Sequence, residues 1–169
     1  MQCQPHLSGQ GGLHLLCFED FPVGRRFDFP SRVMTAEEIV AFATEFDPQP
    51  MHVDEAAGKA SVLGGLAASG WHTCAVMMRM LCESYIDRTA GEGSPGVQSM
   101  EWKRPVLAGD TLSGHCRVVE ARVSRSRPEI GIVRFVADVT NQRGETVAVC
   151  DYANMIRVKA TEAAADAHG

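Results

Sequence analysis

The sequence predicts an α+β domain: a curved antiparallel sheet of about five strands wrapped around one long central helix, with a helix–loop segment overhanging the sheet. Three observations carry this expectation. The stretch from about Gly70 to Tyr85 is helical in pattern and apolar nearly all round, so it belongs inside the molecule rather than on its surface. Four segments from Val97 onward are enriched in β-branched residues and punctuated by turn signals. A single strand candidate precedes the helices, and an order of strand, helix, loop, helix and strands suits a sheet closing over one helix.

The chain has 169 residues, 45% apolar and 22% charged, which fits one globular domain and not a disordered chain. Residues 17–159 form the expected domain. Residues 1–16, rich in Gly, Gln, Ser and His, and the Ala-rich residues 160–169 are expected to be flexible tails.

Within the domain, Arg26 to Val33 reads as a first strand bent or interrupted at Pro30. Thr35-Ala36-Glu37-Glu38 has the form of a capping box, and Ile39, Phe42, Ala43 and Phe46 then recur at helical spacing up to Asp47. Residues 53–65 are small and only partly helical in pattern. In the long helix Ala75, Met78, Leu81, Cys82 and Tyr85 make one stripe, widened by Trp71, Cys74 and Met77. The later strands are Val97–Val106, Thr111–Val123, Ile130–Asn141 and Thr146–Val158, with turns at Ala108–Asp110, Ser126–Glu129 and Asn141–Gly144. Short connections predict an antiparallel meander. Such a sheet leaves an edge that needs cover, and pairing with a second copy predicts a homodimer or higher homo-oligomer.

Bulk chemistry narrows function by exclusion. A net charge of −5 argues against nucleic acid as a partner. The one dense basic run, Arg122 to Arg127, reads as a solvated hairpin end or as a contact for an anion. The six cysteines form no C-x-x-C pair and do not cluster with histidine, which predicts a reduced, cytoplasmic set and no metal site. Leu13 to Phe18 is too short for a secretory core, and no stretch approaches the roughly 18 apolar residues of a membrane span.

Chemistry concentrates in Asp47-Pro48-Gln49-Pro50-Met51-His52. Pro48 disfavours helical geometry at Asp47, and Pro50 does the same at Gln49, so the acid and the imidazole are expected on a stiff, irregular connection. Held close, a carboxylate and an imidazole can orient one water and take its proton, an effect worth about 10²–10⁴ in rate. The plainer alternative is a helix terminator followed by a surface histidine. A second candidate is Gly64-Gly65-Leu66-Ala67-Ala68-Ser69-Gly70, at the start of the long helix. There the Gly70 N–H could meet an oxygen that gains charge during reaction, or the glycines could simply relieve crowding. His72 and Cys74 lie two apart on a helix and point apart, so Cys74 reads as inert packing and not as a nucleophile. Glu101, Asp110 and Asp138 are expected on the solvent side of strands or in turns.

These residues together resemble the MaoC-like dehydratases, the hot-dog-fold family that includes (R)-specific enoyl-CoA hydratases. That family's motif runs Asp-x-Asn-Pro-x-His, followed by a glycine at the start of the central helix. Asp47, Pro50 and His52 match it, and Ser69-Gly70 fills the helix start. Trp102-Lys103-Arg104-Pro105-Val106 and Ala108-Gly109-Asp110-Thr111 resemble the family's later strand motif. The resemblance spans about residues 18–158. Gln49 departs from the family's Asn by one methylene, and Met78 stands where some hydratases carry a serine near the substrate.

The resemblance implies reversible addition of water across the 2,3 double bond of an enoyl thioester, with Asp47 and His52 activating the water. Gly70 N–H would polarise the carbonyl, and Gln49, Pro50 and Ser69 would support the loop. The thioester substrate, coenzyme A or acyl-carrier, would be the only ligand, with no metal or redox cofactor. A hot-dog thioesterase and a non-catalytic acyl-thioester-binding protein are the alternatives.

Overall fold

A computed structural model describes residues 15–159. The expected tails fall outside that range, apart from Leu15 and Leu16. Leu16 is hydrogen-bonded on both sides, its N–H to the Arg88 carbonyl (2.7 Å) and its carbonyl from Ala90 N–H (2.9 Å).

Among the described residues six strands make one antiparallel sheet: β1 (Arg26–Asp28), β2 (Arg32–Val33), β3 (Gly96–Trp102), β4 (Thr111–Val123), β5 (Ile130–Thr140) and β6 (Thr146–Arg157). The order across the sheet is β1-β4-β5-β6-β3, with β2 also paired to β4. The expected first strand is thus two short pieces on either side of the Pro30 region, both held by the long β4. Register shifts at Val97/Ser99, Val118/Glu120 and Val139/Thr140 are bulges that add twist and let the sheet curl. Along β5, Val133, Phe135, Ala137 and Val139 are fully buried while Arg134 and Asp138 lie on the opposite, half-buried face, the alternation of a sheet covered on one side.

Only β4, β5 and β6 form the predicted meander. β3 leaves chain order and pairs with β6 at the far edge. The reason lies in residues 103–110, which do not close a tight hairpin. They run beside the segment that enters the long helix, where Ala68 N–H donates to the Val106 carbonyl (2.8 Å) and Ala108 N–H to the Leu66 carbonyl (2.9 Å).

Among the described residues the α-helices are α1 (Ala36–Phe46), α2 (Pro50–Val53), α3 (Glu55–Ala60) and α4 (Gly70–Ser84). Thr35 caps α1 by accepting Glu38 N–H at 3.2 Å, while the Glu38 carboxylate turns instead to Arg32 (2.8 Å). Residues 53–65 are partly helical, as their pattern predicts: Asp54 caps α3 by accepting Ala57 N–H at 2.7 Å, and the helix stops at Ala60. α4 lies in the concave face of the sheet. Its buried side carries Thr73, Val76, Met77, Met80 and Leu81, and the core below is an aromatic stack of Phe27, Tyr85, Phe135 and Tyr152 with successive centroids 4.7, 5.2 and 5.3 Å apart.

The expectation of a helix buried all round is corrected here. Trp71 (65%) and Met78 (50%) are exposed, because the sheet of one copy covers only one side of α4. β3 ends the sheet, with Val97 exposed and, among the described residues, a strand neighbour on one side only.

Candidate active site

Asp47 ends α1. Its N–H still donates to the Ala43 carbonyl (2.9 Å), and its extended φ then turns the chain towards Pro48. Pro50 opens α2 at the first helical position, where its fixed φ suits a helix and its missing N–H is not needed. His52 therefore sits on a short helical turn and not on the irregular connection predicted from the two prolines. That turn shortens the path. A fully extended chain could separate the two groups by about 16 Å. Instead His52 Nε2 lies 3.7 Å from Asp47 Oδ2.

Each group is fixed by named partners. The Ser69 hydroxyl donates to Asp47 Oδ2 at 2.6 Å, and the Gln49 amide donates to Asp47 Oδ1 at 2.8 Å. The Ser69 bond, and after it the Gln49 bond, hold the Asp47 carboxyl below its ordinary value of 3.8; desolvation opposes them and the neighbouring His52 assists. Asp47 thus stays ionised across the neutral range. His52 is buried, and its Nδ1 lies 2.7 Å from the Ala67 carbonyl. A carbonyl can only accept, so Nδ1 carries the hydrogen and the neutral ring offers its Nε2 lone pair on the Asp47 side.

Ser69 is fully buried and also caps α4, its oxygen accepting Trp71 N–H at 3.2 Å. The same hydroxyl therefore ties the acid to the start of the long helix. Gly70 is the first residue of α4, and among the described residues no acceptor takes its N–H. A side chain there has no room: a Cβ would lie 2.7 Å from Cε2 of the Trp102 ring. That ring is pinned by Nε1–H donating to the Gly70 carbonyl (3.0 Å) and by an edge contact with Trp71 at 5.6 Å.

Asp47, Gln49, His52, Ser69 and Gly70 all line one cavity of about 400 Å³. The remaining predicted support residue, Pro50, acts only by starting α2. Met78 does not line the cavity; it is exposed on the bare side of α4. Sequence reasoning missed the Ala67 carbonyl, a backbone atom with no signature. It also missed the side chains of Trp102, Lys103 and Arg104 as cavity lining.

Other candidates separate from this site. His72 is buried and stacks on Phe42 with centroids 4.7 Å apart. Cys74 is half-buried, and burial pushes its thiol up, away from thiolate chemistry. Asp110 is in a turn as expected, yet buried, with Leu107 N–H, Gln142 and Arg143 as donors. Among the described residues no group of His, Cys, Asp and Glu is arranged to hold a metal, and no helix is long and apolar enough to cross a membrane.

An acid–imidazole pair on a helix–loop segment, sharing one cavity with the first residue of a helix wrapped by a curled sheet, defines a class of protein. The chain belongs to the MaoC-like domain family, whose model matches residues 20–141, and it has the hot-dog fold. Among particular relatives it is similar to the uncharacterized protein YdeM of Bacillus subtilis (strain 168), 29% identical over 125 residues that cover 74% of this chain and 87% of that one. It is also similar to the MaoC-like dehydratase from Rhodospirillum rubrum, with 40% identity, a TM-score of 0.77, and coverage of 86% of this chain and 99% of that one. The unliganded R-hydratase PhaJ1 from Pseudomonas aeruginosa, at 21% identity, shares the fold with a TM-score of 0.68 over 85% of this chain and 86% of that one.

Proposed function

We propose that the protein is a hydro-lyase that adds water reversibly across the 2,3 double bond of an enoyl thioester. The observation that carries this reading is the 3.7 Å approach of His52 Nε2 to Asp47 Oδ2 inside a cavity that Gly70 also lines. Family membership supports the same reaction class.

The proposed sequence of events uses only these groups. The thioester oxygen accepts the Gly70 N–H, which draws electron density from C3. One water donates a hydrogen bond to Asp47 Oδ2 and another to His52 Nε2. As its oxygen bonds to C3, its proton passes to Nε2, and the imidazolium is stabilised by the ionised Asp47. The electron pair of the double bond moves to form an enolate on the thioester. His52 then returns the proton to C2, giving a 3-hydroxyacyl thioester, of (R) configuration by analogy with the R-hydratases. The reverse path is dehydration. The Ser69 and Gln49 donors keep the Asp47 carboxylate ionised and fixed in place, so it orients the water while His52 carries the proton. No step calls for a metal or a redox group.

The exposed Trp71 and Met78 on α4 and the free edge of β3 support a homodimer, since edge pairing would satisfy the unpaired backbone of β3. The assay is direct. Loss of enoyl absorbance without release of thiol, on a panel of enoyl-CoA chain lengths, is the expected result. Release of thiol in step with turnover would identify a thioesterase, and binding without turnover on every chain length would identify a non-catalytic acyl-thioester protein.

A further inference from the structure

His52 can take a proton at Nε2 only while the Ala67 carbonyl keeps its ring hydrogen on Nδ1. The groups that place this carbonyl extend beyond the cavity. Ala67 stands opposite Leu107 in a short antiparallel bridge. The bonds of that bridge are made by the flanking residues, Ala68 N–H to the Val106 carbonyl (2.8 Å) and Ala108 N–H to the Leu66 carbonyl (2.9 Å). Ala67 and Leu107 are therefore a non-hydrogen-bonded pair, and their own N–H and C=O groups point away from each other.

Both outward groups of Ala67 meet α2: its N–H donates to the Met51 carbonyl (3.3 Å), and its carbonyl faces His52 Nδ1 (2.7 Å). Both outward groups of Leu107 meet one residue, Asp110. Leu107 N–H donates to Asp110 Oδ2 (2.9 Å), and the Leu107 carbonyl accepts Asp110 N–H (3.0 Å). Gly109, at φ +88°, supplies the left-handed residue that this tight turn needs.

A backbone bond alone would close such a turn. The Asp110 carboxylate does more, because it is buried and its second oxygen reaches a different part of the sheet. Oδ1 accepts Gln142 Nε2–H (2.8 Å) and Arg143 Nη1–H (3.3 Å) from the β5–β6 turn, and Gln142 in turn accepts Thr111 N–H (2.9 Å). Asp110 itself does not line the cavity. Its bonds fix Leu107 against the sheet, and the bridge carries that placement across to Ala67.

We infer that Asp110 is a positioning residue for His52. Through Leu107 and the bridge it sets the carbonyl that keeps Nε2 free of hydrogen and 3.7 Å from Asp47 Oδ2. The kinetic consequence rests on the hydro-lyase reading; the tautomer does not, since it is read without substrate.

The test is ¹⁵N NMR of the histidine side chains in folded protein, with the His52 signals assigned by their loss in His52→Gln. Wild type should show His52 with hydrogen on Nδ1. Asp110→Ala should add the Nε2–H form, because the ring loses its fixed acceptor. On enoyl-CoA, kcat of that variant should fall about 10²-fold while KM stays within about twofold, since a displaced base leaves the carbonyl donor in place. Asp110→Asn keeps an oxygen for Leu107 N–H and should restore the wild-type tautomer and most of kcat. Val133→Ala, a truncation in the buried face of β5, should lower Tm yet leave tautomer and kcat unchanged, which separates positioning from general loosening. Should Asp110→Ala not fold, Gln142→Ala takes its place: it frees one carboxylate oxygen, and a smaller shift in the same direction is expected. An unaltered His52 tautomer in whichever of these two variants is measured, or an equal change in Val133→Ala, refutes the role. If wild type turns over no thioester while the tautomer still responds to Asp110, the hydro-lyase reading fails and the positioning role stands.

Discussion

Replacing Ser69 by Ala removes one hydroxyl that makes two bonds at once. It donates to Asp47 Oδ2 at 2.6 Å and accepts Trp71 N–H at 3.2 Å, from a fully buried position. Loss of a helix N-cap costs about 1 kcal/mol. A hydrogen bond to a charged group contributes about 1.5–3 kcal/mol, and here the lower end applies because water reaches Asp47 and can replace part of it. The sum is about 2–3 kcal/mol, or a fall in Tm of roughly 5–10 °C for a domain of this size. Activity should fall further than stability alone explains. Without its Ser69 partner the carboxylate is held by Gln49 alone, and misplacement of a catalytic group by an ångström can cost about 10²-fold. The measurements are thermal unfolding by circular dichroism and turnover of an enoyl-CoA by loss of absorbance, both on folded protein. Ser69→Thr, which keeps the hydroxyl, should recover part of each. A variant that melts with wild type and turns over within about twofold of it would show that the Ser69–Asp47 bond does not organise the site.

Gly70→Ala places a Cβ 2.7 Å from the Trp102 ring and forces the ring or the helix start to move, so turnover should fall about 10²-fold as the N–H donor is displaced, with much smaller loss of stability. Combining it with Trp102→Leu, which vacates the space, should return part of that activity; no recovery would remove the steric argument. The pH dependence of stability follows from Asp47, whose folded pKa lies below its ordinary 3.8. Its contribution is fully present above about pH 4 and is lost as pH falls through the folded value. Urea melts of Asp47→Asn should therefore show a deficit near neutrality that shrinks below about pH 4, and a deficit that grows on acidification would contradict the assigned donors.

Much of this architecture was legible in the residues. β-branched runs and turn signals located β4, β5 and β6, and Thr35 marked the start of α1. The place of β3 was not legible, because strand order depends on how residues 103–110 pack against the entry to α4, a long-range contact without local signature. Two local signals went unused. Pro50 after an extended Gln49 is a helix-start pattern, and Asp54 ahead of Glu55-Ala56-Ala57 is a cap; together they place His52 on a turn between two caps. Burial of α4 all round was the wrong expectation because the helix is apolar on both sides, and periodicity cannot say which side the sheet of the same copy covers. In the site, Asp47, His52 and Gly70 were named from motif chemistry, but what fixes them was hidden. Gln49 reaches its own neighbour Asp47, and the partner of His52 is a backbone carbonyl fifteen residues on.

The shared water is best interrogated by a double-variant cycle on enoyl-CoA hydration, using Asp47→Asn, His52→Gln and the pair combined. Two groups that serve one water act as a unit, so the combined variant should be slowed about as much as the worse single one, each by orders of magnitude. Losses that multiply would mean that the carboxylate and the imidazole act on separate events, and the geometry at 3.7 Å would then need a different chemistry.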